Sequence, residues 1–247
     1  MKYILISFLM IATACNRQIT TSTKKSTQNN KEVSSEKETT NMQDLSSTLI
    51  VVLNNANEIE NAKSLIKNSG LTWQSVVINK ENFKAALIKV PTDKKEFWLN
   101  RLKSDNTFYS VDENKKETLQ NIISISDNTI VKIRKTACRG YCPVFTAFLL
   151  NDGTLVFNGL KNTLVEGKRE VVISKLEVEE IKKMFEAVTV SNLKQNFTNV
   201  NLMDVPTTFI NYREYQIEIQ VWKNVPSKLK NAYDSFEKIL KEQKMIK

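Results

Sequence analysis

Val144–Leu150, VFTAFLL, has no polar face. A strand of this composition gives neither side to water and reads as a central strand of a sheet. Asn151-Asp152-Gly153 follows as a strong hairpin turn, and Thr154–Asn158 (TLVFN) returns from it. Upstream, Thr129–Lys135 (TIVKIRK) alternates, with Val131 and Ile133 opposite Lys132 and Arg134. Basic residues on such a strand mark its solvated face. Val171 and Val172 end a further short strand. Ser174-Lys175-Leu176-Glu177 is a capping box, and the helix it opens sets Val178, Ile181, Phe185 and Val188 on one side. Thr207–Tyr212 and Tyr215–Trp222 predict a second hairpin. Pro226 starts a final helix with Leu229, Ala232, Tyr233, Phe236, Ile239 and Leu240 as its apolar stripe. Residues 127–247 therefore predict an antiparallel sheet with two helices on one face.

Residues 48–113 predict a separate unit. Thr48–Leu53 (TLIVVL) reads as a buried strand. Asn55 with Glu58 offers a helix start, Ile59, Ala62, Leu65 and Ile66 follow at helical spacing, and Gly70 ends the helix. Leu71–Asn79 and Phe83–Val90 are strands about a polar turn. Pro91-Thr92-Asp93 opens a helix with Trp98, Leu99 and Leu102, and Thr107–Val111 is the last strand. The order β-α-β-β-α-β is the ferredoxin-like arrangement, so the fold class is α+β. Residues 114–126 connect the two units and include a short helix at Glu117–Ile123. Trp73, Trp98 and Trp222 belong to cores or their edges.

Composition removes several kinds of chemistry. The chain has no histidine, which excludes Ser-His-Asp and Cys-His catalysis and His metal sites. Its 5 glycines cannot build a phosphate-cradling loop. No cofactor is implied, and two sulfurs without His do not fill a zinc site. The formal charge is +9, of which residues 1–14 contribute only Lys2. No basic-aromatic motif argues for nucleic acid, and solubility accounts for the charge.

The N-terminus carries an address. Met1-Lys2-Tyr3 precedes an apolar run from Ile4 to Ile11, closed by Ala12-Thr13-Ala14-Cys15. A run this short falls well below the roughly 20 residues of a membrane-spanning helix. Residues 1–14 resemble a bacterial lipoprotein signal peptide, with Ala12 where Leu is commoner. The resemblance implies lipidation at Cys15, anchoring to a membrane and an oxidising envelope compartment. Asn16 after the cysteine fits outer-membrane delivery. Residues 15–47 are almost free of apolar side chains and read as a disordered tether with a reach of ~30 Å. Partners implied are the membrane and an envelope protein, peptide or anionic polymer.

Between the first two strands of the second unit lies Cys138-Arg139-Gly140-Tyr141-Cys142-Pro143-Val144-Phe145. With the Asp152-Gly153-Thr154 turn and Asp204-Val205-Pro206, it resembles a domain family of unknown function in envelope lipoproteins of Gram-negative bacteria. Arg139 stands where that family more often has Phe. The family supplies no catalytic residues. With Cys15 lipidated, Cys138 and Cys142 are the remaining cysteines, and an isolated pair in an oxidising compartment reads as a disulfide. Gly140 allows a positive φ in so small a ring. A redox-active pair is the alternative, with Arg139 and Lys135 lowering a thiol pKa, though the spacing is not C-x-x-C. Arg134, Lys135, Arg139 and Tyr141 are the candidate ligand contacts. Tyr212, Arg213 and Tyr215 flank a hairpin tip and offer a further contact surface. Residues 48–113 also resemble, through TLIVVLN, FKAALIKVP and LNRLKSDNTFYSVDEN, the propeptide and inhibitor domain of subtilisin-like proteases. That resemblance implies a sheet face packed on a protease. The readings left by the sequence are a lipid-anchored, non-catalytic binding module, an envelope thiol–disulfide enzyme and a protease inhibitor.

Overall fold

The structure is a computed structural model and describes residues 46–189 and 193–247. Cys15, the signal-like run and the tether as far as residue 45 lie outside the described residues. Ser47, expected to end the tether, is buried and its carbonyl accepts from Val90 N at 2.8 Å, so the folded part begins earlier than its apolar run suggests. The first sheet holds β1 (Thr48–Leu53), β2 (Thr72–Asn79), β3 (Lys84–Lys89) and β4 (Phe108–Glu113), ordered β2-β3-β1-β4. Every pairing in it is antiparallel, which is the ferredoxin-like order. Helices α1 (Ile59–Asn68) and α2 (Lys95–Lys103) cover one face. Leu49, Val51 and Leu53 meet Ala62, Ile66 and Leu102 there, with Trp73 and Trp98 at the edge.

The second sheet has seven strands. They are β5 (Thr129–Lys135), β6 (Val144–Leu150), β7 (Thr154–Lys161), β8 (Gly167–Val172), β9 (Asn196–Phe197), β10 (Thr208–Tyr212) and β11 (Tyr215–Ile219). The order is β8-β7-β6-β5-β10-β11-β9, antiparallel except for β9 on β11. Helices α4 (Lys175–Glu186) and α5 (Ser227–Glu242) lie on one face. Their Val178, Ile181, Phe185, Leu229 and Phe236 pack on Ile133, Phe145, Ala147 and Phe157. The capping box closes as predicted, with Ser174 Oγ accepting from Glu177 N and Glu177 accepting from Ser174 N. The last hairpin strand stops at Ile219, and Trp222–Asn224 turn instead as a 3₁₀ helix that sets Trp222 on Tyr233, ring centroids 4.5 Å apart.

The two sheets stack face to face. Ile50, Val52, Ala85 and Tyr109 of the first meet Phe148, Leu150 and Val156 of the second in one apolar cluster. The layers thus run helices, four strands, seven strands, helices. The face of the first sheet that a propeptide-like domain would turn to a protease is covered by the chain's own second sheet. The helix of the connector, α3 (Lys116–Asn128), is longer than its apolar pattern suggested and adds Ile122 and Ile125 to this inter-sheet core.

This stacking overturns one expectation. The alternation of β5 predicts a solvated face for Lys132, yet the residue is 2% exposed. Strand β5 neighbours β6, whose two apolar faces are both covered, so β5 has no solvated face either. Lys132 sits opposite Phe148 and points into the seam between the sheets.

Candidate functional site

Cys138 and Cys142 form a disulfide, Cα–Cα 5.8 Å, in the loop that joins the antiparallel neighbours β5 and β6. The loop is held by its neighbours. Asn162 donates from Nδ2 to the Cys142 carbonyl at 3.1 Å, and Arg139 N donates to the Asp204 carbonyl at 3.0 Å. Both partners occupy the left-handed region, Asn162 at φ 57° and Asp204 at φ 62°. Short polar side chains tolerate that conformation best. The conformational demand therefore falls on the residues gripping the ring. Gly140 was expected to meet it, but Gly140 has no positive φ, and a Cβ there would rest 3.9 Å from Cys138 Sγ in ordinary contact. Asp204-Val205-Pro206, distant in sequence, is thereby brought against the cysteine motif.

The candidate basic contacts are dispersed. Lys135 faces the helices, its Nζ 3.4 Å from Glu237 Oε1 and 3.4 Å from Tyr233 Oη. It is occupied there and does not serve the thiols. Arg134 points to the opposite face, its guanidinium 3.8 Å above the Phe209 ring. Burial lowers its pKa, against the pull of the Glu58 and Glu218 carboxylates. Arg139 and Tyr141 remain at the loop, and Tyr141 is 95% exposed. At the hairpin tip, Tyr212 is buried, Arg213 is exposed at φ 53°, and the Arg213 carbonyl accepts from Asn82 Nδ2 across the two sheets.

The seam between the sheets holds a polar row that the sequence did not announce. Arg134, Thr146, Asn158 and Lys168 stand directly opposite one another across β5, β6, β7 and β8. Lys132 Nζ donates to the Asn54 carbonyl at 2.8 Å, and Thr146 Oγ1 donates to Asn54 Oδ1 at 3.3 Å. Asn158 Nδ2 donates to the Tyr109 carbonyl at 3.4 Å. Lys168 Nζ lies 3.4 Å from Asp112 Oδ2 and 5.8 Å above the Tyr109 ring. Burial lowers the Lys132 pKa to about 7, with repulsion from Arg134 adding to it.

Where the edge strands β4 and β8 part, the seam opens into two clefts on either side of the Lys168–Asp112 pair. One, of about 420 Å³, has an apolar floor of Val52, Phe83, Tyr109, Ile122 and Val156, with Asp112, Glu117, Asn121, Lys168 and Glu170 at its mouth. The other, of about 520 Å³, runs past Lys103, Asn158, Gly159 and Glu166. Both fall in the size range of small-molecule sites. Tyr109 is 6% exposed, and its hydroxyl is buried without a hydrogen-bond partner. Burial raises its pKa, and the carboxylates of Glu170 and Asp112 raise it further, so the group stays protonated. Nearly all buried polar atoms are paired in native folds, so an orphan hydroxyl beside a cleft marks a place to look for a ligand. Among the described residues no group of three or more Cys, Asp or Glu is placed to hold a metal, and no helix is long and apolar enough to cross a membrane.

The assembly is an α+β protein of two stacked sheets with an inter-sheet cleft and a disulfide-closed loop. Residues 129–240 match a family described as a domain of unknown function (DUF6438). The match begins at the first residue of β5 and ends in α5, so it takes in the seven-stranded sheet, both its helices and the cysteine motif. No curated protein and no solved structure matches the chain.

Proposed function

We propose that the protein is a lipid-anchored bacterial envelope protein, carried at the outer membrane by Cys15, whose folded part is a non-catalytic binding module. The observation that carries the binding reading is the inter-sheet cleft with its apolar floor, behind which the orphan Tyr109 hydroxyl is buried. The anchor reading is supported by the signal-like run before Cys15. The test is photocrosslinking from Asn121, at the cleft mouth, in the native envelope, with mass spectrometry of the adducts. A discrete adduct from Asn121, absent when the photoreactive residue stands at exposed Lys175 on α4, is the expected result. The same adducts from both positions, or none from Asn121, would overturn the binding reading.

A further inference from the structure

The cleft carries more than the statement that something binds. Its mouth has three carboxylates, Asp112, Glu117 and Glu170, against one amine, Lys168, which already pairs with Asp112. No ion pair among the described residues engages Glu117 or Glu170. The chain itself illustrates the chemistry that suits this corner. Lys168 holds an ammonium group between the Asp112 carboxylate and the Tyr109 ring face. Aromatic faces attract cations. Beneath the mouth, Phe83, Val156 and Ile122 give an apolar floor for a hydrocarbon body.

We infer that the cleft between β4 and β8 binds small organic cations, an ammonium group carried on an apolar body. The ammonium group lies at the mouth between Glu117 and Glu170, and the body enters beneath it beside Tyr109, Phe83 and Val156. This assignment rests on the binding reading and names its ligand class. An anionic analogue meets Glu117 and Glu170 and is repelled. A neutral analogue keeps the apolar contact and loses the charge.

The test uses 2-phenylethylammonium, 2-phenylethanol and 3-phenylpropionate, titrated into the folded protein and followed by amide chemical shifts. The expected order is the cation tightest, the alcohol weaker and the carboxylate weakest, with shifts centred on β4, β8 and α3. Glu117→Gln with Glu170→Gln should weaken the cation about fivefold and leave the alcohol unchanged. The alcohol or carboxylate binding as tightly as the cation would overturn the ligand class while leaving the cleft a binding site. Cation shifts unmoved by the paired Gln substitutions, or no binding of any probe, would overturn the assignment. The crosslinking from Asn121 reports separately on whether the cleft is occupied in the envelope.

Discussion

Lys132 Nζ donates to the Asn54 backbone carbonyl at 2.8 Å, joining residues 78 positions apart across the seam between the two sheets. It does so where almost no water reaches, against the Phe148 ring. A buried amine resists protonation, because the charged form loses its hydration.

The sign of the resulting pH effect follows from linkage. Lys132 has a folded pKa of about 7 against an ordinary value of 10.5. Below pH 7 the amine is charged in both states and the cost of burying it is present in full. Between these values the unfolded chain holds a proton that the folded chain has given up, so stability rises with pH. The rise should be about 1 kcal/mol per pH unit from pH 7, until ionisation of unfolded Tyr109 and Tyr233 opposes it near pH 10. Urea unfolding from pH 6 to pH 9 reads this slope. Lys132→Met should flatten it and be no less stable than the parent at pH 6.

Asn54 is the hub of the same seam. Its Nδ2 donates to the carbonyls of Asn106 at 2.8 Å and Phe108 at 3.0 Å, while Oδ1 accepts from Thr146. Asn54→Ala takes a partner from the buried Phe108 carbonyl and Thr146 hydroxyl and should cost about 3 kcal/mol, with a lower urea midpoint and an unchanged slope. Asn54→Asp keeps one acceptor, places a carboxylate against two carbonyls, and should cost at least as much.

Gly159 stands where β7 meets β8. A Cβ there would fall 1.9 Å from the Val165 carbonyl oxygen and 2.5 Å from Thr163 Oγ1. The nearest obstacle is backbone, so Gly159→Ala should cost about 3 kcal/mol. Gly140→Ala, which meets only ordinary contact, should lie within about 0.5 kcal/mol of the parent. Thermal unfolding of the two variants side by side checks the contrast.

The cysteine ring closes five residues, so Cys138→Ser with Cys142→Ser should cost about 2 kcal/mol on the chain-entropy model. The reduction potential separates a staple from an exchange pair. A value below about −300 mV is expected for a staple, and one near those of thiol–disulfide enzymes would restore the redox reading.

Cys15→Ser should move the protein from the membrane fraction to the soluble fraction of fractionated cells. Unchanged membrane association would sink the lipid-anchor reading.

The ferredoxin-like order, the capping box at Ser174, the paired hairpins and the helical stripes could all be read from residues near one another in the chain. Each rests on local periodicity or a turn signal. What was hidden lay between the units. TLIVVL and VFTAFLL are both apolar on two faces. Together they say that each sheet needs a second cover, but not that each covers the other. Lys132 was misplaced for the same reason. Its alternation with Val131 and Ile133 is that of a half-exposed strand, and only the pairing with β6 shows that its side is roofed. Tyr109 carries no signal at all in TFYSV. Its hydroxyl stands out once Phe148, Glu170 and Asp112, all from other strands or positions, have closed around it.

The stacked sheets have a consequence for modularity. The span recognised as a domain, residues 129–240, contains Phe148, Leu150 and Val156, whose cover comes from Ile50, Val52 and Tyr109 outside it. Cut at those borders, the fragment would present a second greasy face to solvent and a buried lysine with nothing to bond. The span that matches a family and the span that covers its own core are therefore different lengths of the same chain.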